Sequence, residues 1–276
     1  MEKLPRLRAR IAALGDFHEL IRALEALAAT HYRAAQEALH VSSKHLGIVT
    51  QAVQSVSSGE PLSGANAPCA QYSAGVMIAV CSEHGFVGAF NERILDRVEA
   101  ELSKGETLIL IGQRGFQIAL ERSFKADSTH AMAAHANSVP GLARQLSLAT
   151  SWAESVRIVF SRHQTGRQHS VDCEVIDLGS DRPERTANDL DLPLHQLPLQ
   201  NLQEGLWHDR TFATIAHCLL ESLSSENATR LASMQAADRN VRDKLAQLTQ
   251  RERTVRQEEI TEELLDILTG VESVSA

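Results

Sequence analysis

The sequence predicts an α/β protein in which a sheet-bearing segment is inserted between two long helices at the chain ends, and those ends associate. Three observations lead there. From Leu206 to Thr269 there are 64 residues without Gly or Pro, and only Gly15 and Gly47 interrupt residues 6–58. Both stretches repeat apolar residues at steps of three, four or seven, which lays a seam along one helix face. Between them the pattern changes to short apolar runs alternating with helical spacing, the pattern of strands and helices in an open sheet.

In the N-terminal stretch the seam is Leu7, Ile11, Leu14, Ile21, Leu24, Ala28, Tyr32, Ala35 and Leu39. In the C-terminal stretch it is Phe212, Ile215, Leu219, Leu223, Leu231, Met234, Val241, Leu245, Leu248 and Val255. At 1.5 Å per residue a 64-residue helix measures about 96 Å, more than a compact core can cover, so it must project. Residues 1–45 carry seven Lys/Arg against five Asp/Glu, and residues 201–276 eight against thirteen. Opposite signs at the two ends favour their pairing. The seam thins over Thr249–Glu259, where Val255 is the only large apolar residue, and returns at Ile260, Leu264, Leu265, Ile267 and Leu268. A wet stretch followed by an apolar tip fits a rod that crosses a solvated cavity into a separate apolar socket.

Residues 59–68 read as a loop. β-like runs follow at Ser73–Ser82, Thr107–Ile111, Val156–Ser161 and Val171–Leu178, with helical segments at Asn91–Leu102, Phe116–Arg122 and Pro140–Ala153. Asp181–Pro198, rich in Pro, Asp and Asn, reads as the return loop. The segments expected are therefore residues 1–58, 70–198 and 206–276.

Composition narrows the chemistry. The chain has 276 residues, 43% apolar and 22% charged, with a net charge of −8. That balance excludes a disordered chain and argues against nucleic-acid binding by bulk charge. No apolar run approaches the roughly 18 residues needed to span a bilayer. Four Cys lack C-x-x-C spacing and read as packed thiols, and no two of the twelve His stand three or four apart, so no metal site is expected. There is no P-loop, no G-x-G-x-x-G after a strand and no G-x-S-x-G. The turn Glu83–Asn91 opens a helix after the first strand, where α/β folds bind ligands. It lacks the Lys or Arg that phosphate binding usually needs, and Glu83 and His84 point to opposite faces. Gly85 and Gly88 are expected to allow close packing there, with Asn91 as a helix cap. No catalytic, cofactor or metal residue is therefore assigned.

The motifs resemble one family over the whole chain. Glu226-Asn-Ala-Thr-Arg230-Leu-Ala-Ser-Met234 and Arg256-Gln257-Glu-Glu-Ile260-Thr261-Glu-Glu263-Leu264 are similar to the C-terminal signatures of the gamma subunit of F-type rotary ATP synthases. Glu83–Asn91 resembles that family's Asp-Arg-Gly-Leu-Cys-Gly-Gly-Phe-Asn turn, and Arg10-Ile11 with Ala23–Ala29 resembles its first axle helix. Glu19–Leu24 stands where the family has Lys-Ile-Thr-Lys-Ala-Met, and Val87 where it has Cys. This divergence fits an alternate F-type complex.

The resemblance implies an antiparallel coiled coil of the two termini carrying a Rossmann-like α/β domain. It also implies a non-catalytic rotor shaft, which couples ion flow through the membrane ring to ATP synthesis or hydrolysis. Its implied partners are the alpha and beta subunits of the catalytic hexamer, the epsilon subunit and the ring of c subunits, at the cytoplasmic face of a bacterial inner membrane. Arg256, Gln257, Thr261 and Glu263 would then face the catalytic subunits. Two other readings of the residues stand beside it: a coiled-coil adaptor and a soluble nucleotide-binding Rossmann protein.

Overall fold

A computed structural model of the chain describes residues 4–56, 75–153, 155–162, 170–177 and 196–274. The loop expected at 59–68, residues 181–195 of the expected return loop and Cys69 lie outside them. The chain divides into two compact units, residues 1–27 with 231–276, and residues 28–230.

The second unit is built on a five-stranded sheet of β1 (Gly75–Val80), β2 (Thr107–Ile111), β3 (Ser128–His130), β4 (Ser155–Arg162) and β5 (Ser170–Asp177), in the order β3-β2-β1-β4-β5. β1 pairs in parallel with β2 and β4, β2 pairs in parallel with β3, and β5 runs antiparallel to β4. This is the Rossmann-like order, with the switch point between β1 and β4. Every residue of β1 is buried, as a central strand covered on both faces requires. Alternation sorts its side chains. Val76, Ile78 and Val80 join one core with Ile158 and Phe160, while Met77 and Ala79 join the other with Leu108 and Leu110.

Helices α2 (Phe90–Glu101) and α3 (Gln113–Glu121) cover the second face through Ile94, Leu95, Val98 and Ala119. The first face is covered by α4 (Val139–Ala149) and by parts of two terminal helices, α1 (Leu4–Val56) and α5 (Leu199–Val274). Along α5 nearly every residue from Thr211 to Asn227 is buried or half-buried. Three serines allow the close approach: Ser222 Oγ donates to Val80 O at 3.3 Å, Ser225 Oγ meets Ser161 Oγ at 2.7 Å, and Gln36 of α1 donates to Ser224 Oγ at 2.6 Å.

In the first unit, residues 4–27 of α1 and 231–274 of α5 run antiparallel. Arg8 Nε donates to Glu252 Oε1 at 2.8 Å, and further along α1 His18 pairs with Asp238 at 2.7 Å. Among the buried or half-buried positions of α5 here, 231, 234, 238, 241, 245, 248, 252 and 255 alternate steps of three and four as a coiled-coil seam requires. Two of them, Asp238 and Glu252, are charged. The apolar seam read from the sequence omits both, because a carboxylate at a seam position is legible only once its partner across the pair is known.

Several boundaries differ from expectation. α5 begins at Leu199, seven residues before Leu206, because an exposed Gly205 inside a helix costs only about 1 kcal/mol. α3 begins at Gln113, not Phe116, and passes through Gly115. β3 is absent from the expected strands, since Ser128-Thr-His130 carries no apolar alternation.

Candidate functional site

Two places in the molecule are candidates for function, one in each unit. The first is the end of α5 in the coiled-coil unit. The seam stops at Val255, and every side chain described from Arg256 to Ile267 is exposed. Arg256, Gln257, Thr261 and Glu263 therefore all reach solvent. Gln257 and Thr261 lie one turn apart, and Thr261 Oγ1 donates to Gln257 O at 2.8 Å. That bond uses the hydroxyl proton, so toward a partner Thr261 offers acceptor lone pairs. Glu263, two residues beyond Thr261, lies about 200° around the helix from it. Ile260, Leu264 and Ile267 make an apolar stripe at steps of four and three, and Ile267 is 63% exposed.

The second place is the turn after β1, at the switch point of the sheet. Its base is fixed from inside. Asn91 Oδ1 accepts from Ser82 N, and Asn91 Nδ2 donates to Ser82 Oγ, both at 2.8 Å. Asn91 is thus not the expected cap. Ala89 holds the N-cap of α2, and Asn91 turns back to brace the strand end. Glu83 Oε2 accepts from Gln113 N at 3.1 Å and Met132 N at 2.8 Å, joining the turn to α3 and the segment after β3.

Nor do Gly85 and Gly88 provide close packing, since a Cβ at either would meet nothing within 4 Å. Gly88 is needed for its φ of +55°. The close approach is at Gly112 and Gly115, where a Cβ would stand 2.5 Å from Cys81 O and 2.1 Å from Cys81 Cβ.

The amides at the start of α3 bind the chain itself. At the start of α3, Gly112 N donates to His130 O, Gln113 N to Glu83, and both Arg114 N and Gly115 N to Ser82 O. Among the described residues no group of His, Cys, Asp and Glu has the arrangement of a metal site. Cys81 and Cys218 are buried thiols outside any disulfide, and burial, helped by Glu226, pushes Cys81 up to about 12.

Over this turn reaches Arg230 of α5, which the sequence marks only as part of a family-like run. Its Nε donates to Gly85 O at 3.2 Å and its Nη2 to His84 O at 3.4 Å, while Nη2 also meets Glu226 Oε1 at 2.6 Å. Glu226 is 3% exposed, and burial pushes its carboxyl up to about 7 against the pull of Arg230. The turn partners lie about 145 residues from Arg230 in the chain, which no local signal could reveal.

Comparison with known proteins agrees with this architecture. A family model described as ATP synthase matches residues 3–274. The ATP synthase gamma chain of Fuscovulum blasticum is 26% identical, with 99% of this chain and 100% of that protein covered. That of Geobacter metallireducens is 25% identical, covering 99% of each. Among solved structures, the rotor of the Euglena gracilis mitochondrial ATP synthase superposes with a TM-score of 0.66 at 11% identity, over 93% of this chain and 98% of that one. With the fold shared and the match running nearly end to end, the chain belongs to the ATP synthase gamma-chain family.

Proposed function

We propose that this chain is the central rotor shaft of an F-type ATP synthase, a non-catalytic subunit coupling ion flow through a membrane ring to nucleotide chemistry in an alpha/beta hexamer. On this reading residues 1–58 and 206–276 form the axle and residues 70–198 the base. The axle turns inside the hexamer, and the base rests on the ring of c subunits and binds the epsilon subunit. The chain is peripheral, on the cytoplasmic face of a bacterial inner membrane. No helix among the described residues is long and apolar enough to cross a membrane.

The observation that carries the reading is the end of α5. It stays helical past Val255 and exposes Ile260, Leu264 and Ile267. Apolar side chains repeated on an exposed helix call for cover from another molecule. Arg256, Gln257, Thr261 and Glu263 sit on that same end and are the residues proposed to address the catalytic subunits. Their coupling works by difference. A shaft can bias the open and closed states of surrounding subunits only if its interactions with those states differ in free energy. A helix end with polar groups on several faces presents a different group to each subunit at every angle.

The test is the triple variant Gln257→Ala, Thr261→Ala, Glu263→Ala in the assembled complex. Removing one charge-assisted hydrogen bond costs about 1.5–3 kcal/mol, and about 1.4 kcal/mol is tenfold in rate. ATP turnover per assembled complex is expected to fall at least tenfold, with subunit stoichiometry unchanged because the seam up to Val255 is intact. Unchanged turnover would show that these residues are merely solvated. Failure to assemble would make the tip an anchor and not a coupling element.

A further inference from the structure

In the second unit α1 carries a stripe that the fold leaves uncovered. Ala34, Val41, His45 and Ile48 are all exposed and follow one another at steps of seven, four and three, on one side of the helix. Val41 is 67% exposed and Ile48 65%, among the most exposed large apolar side chains described. The buried or half-buried Ala35, Ser42 and Val49 each stand one residue beyond a stripe position, about 100° around the helix. The stripe is therefore distinct from the face that packs on the core.

Two charges flank it. Glu37 and Lys44 are exposed and lie about 40° and 60° to one side of Val41, whereas His45 lies about 40° to the other. Glu37 and Lys44 thus share one edge of the stripe. Seven residues separate them, about 10 Å along the axis, so within one helix they do not pair.

The order along the stripe is self-complementary. In two copies of α1 laid antiparallel about a two-fold axis at Val41, residues equally far before and after Val41 come level. Val41 then meets its own copy, and Ala34, seven before, meets Ile48, seven after. Glu37 and Lys44, four before and three after, come within one residue of level on the same edge. Two-fold symmetry makes each of these contacts twice. Small Ala34 leaves room for Ile48, and two opposite-charge pairs close one edge. A parallel arrangement would instead set Glu37 against Glu37 and Lys44 against Lys44.

We propose that this face of α1 pairs with the same face of a second copy of the chain, antiparallel, with Val41 at the two-fold axis and Glu37 of each copy bonded to Lys44 of the other. The pairing needs only the chain itself and stands or falls apart from the rotor reading. The charges select the occupant. A helix of another protein would need an acid and a base at the mirrored spacing, which a second copy supplies by symmetry. The stripe is about 21 Å long and offers two large apolar side chains per copy. That is at the small end of specific interfaces, so the dimer is reversible and populated only at micromolar concentrations and above.

Sedimentation equilibrium of the full-length chain over roughly 5 to 500 µM tests this. The mass should rise from one copy toward two, and fall back at high salt, because exposed ion pairs are screened. Val41→Asp puts two carboxylates at the axis and should abolish the dimer, in a chain that still folds because that side chain is exposed. Glu37→Lys sets like charges face to face twice and should raise the dissociation constant about tenfold. Combining Glu37→Lys with Lys44→Glu restores opposite charges and should return it to within about threefold of the unaltered chain. Association that survives Val41→Asp overturns the proposal and moves the contact to another apolar surface, such as Ile260 and Leu264 of α5. Failure of the double exchange to restore pairing overturns the antiparallel register. A chain that is monomeric throughout overturns self-pairing and leaves this face to a different protein.

Discussion

One helix, α5, passes through two environments. From Thr211 to Asn227 it is covered on almost every side, by the sheet, by α1 and by its own polar bonds to Val80 and Ser161. From Arg256 to Ile267 every described side chain is exposed. Both stretches lack Gly and Pro, and both carry Leu and Ile at helical spacing. The helix is therefore the same, and its role in stability differs entirely. Helical propensity supports the backbone in both places, whereas burial exists only in the first. Changes in the first region should be read as folding defects, and changes in the second as defects of assembly or coupling.

The strongest way to probe that contrast lies in the sheet beside the buried stretch. Arg157 of β4 and Glu106 are each 4% exposed and ion-paired, with Arg157 Nε donating to Glu106 Oε1 at 2.9 Å and Nη2 to Glu101 O at 2.8 Å. Replacing Arg157 with Met leaves a buried carboxylate without its cation. Stability should fall by about 3–5 kcal/mol, read from the urea midpoint. A drop under 1 kcal/mol would mean that water reaches Glu106.

Next comes a matched pair on α5 itself. Leu219→Ala removes a side chain 1% exposed in the core shared with β1 and β4 and should cost about 2–5 kcal/mol. Leu264→Ala, at 56% exposure, should change stability by no more than about 0.5 kcal/mol. Equal effects would abolish the distinction between the two regions.

The smallest expected effect is on pH dependence. Folded Glu226 titrates near 7 against an ordinary 4.5, so between those values the fold holds a proton that the unfolded chain has released. Its contribution to global stability is therefore complete below 4.5 and lost as pH rises through 7, at no more than about 1.4 kcal/mol per pH unit. Urea midpoints for the unaltered chain minus those for Glu226→Gln should show this slope. A difference that rises with pH would mean that Arg230 outweighs burial.

Which features are legible in the sequence follows from how far apart their causes lie. The terminal helices show in their own periodicity, and β1, β2, β4 and β5 show as compact apolar runs. The exposure of Arg256, Gln257, Thr261 and Glu263 agrees with the thinning of apolar residues after Leu248. What escapes depends on distant partners. Arg157 and Glu106 are 51 residues apart, and an Arg inside a strand reads as solvent-facing until its counterion is found. Asp238 looks like a solvated residue until His18 is placed opposite it. Arg230 as a clamp needs His84 and Gly85 brought beneath α5. Local pattern reports what a segment prefers, and only the tertiary fold assigns a buried charge its partner.

The buried positions of α1, Val53 apart, follow a period. In the second unit Ala28, Ala35, Ser42, Val49 and Val56 are buried or half-buried at intervals of seven. One residue corresponds to about 100° of helix rotation, so deleting exposed Lys44 would turn Val49 and Val56 away from their packing, although neither side chain had been altered. Removing a full heptad restores the phase to within about 20°. Length in this helix is thus effectively quantised. Among descendants of this sequence, insertions and deletions within α1 should survive in sevens, while point substitutions on its outer face leave the phase untouched.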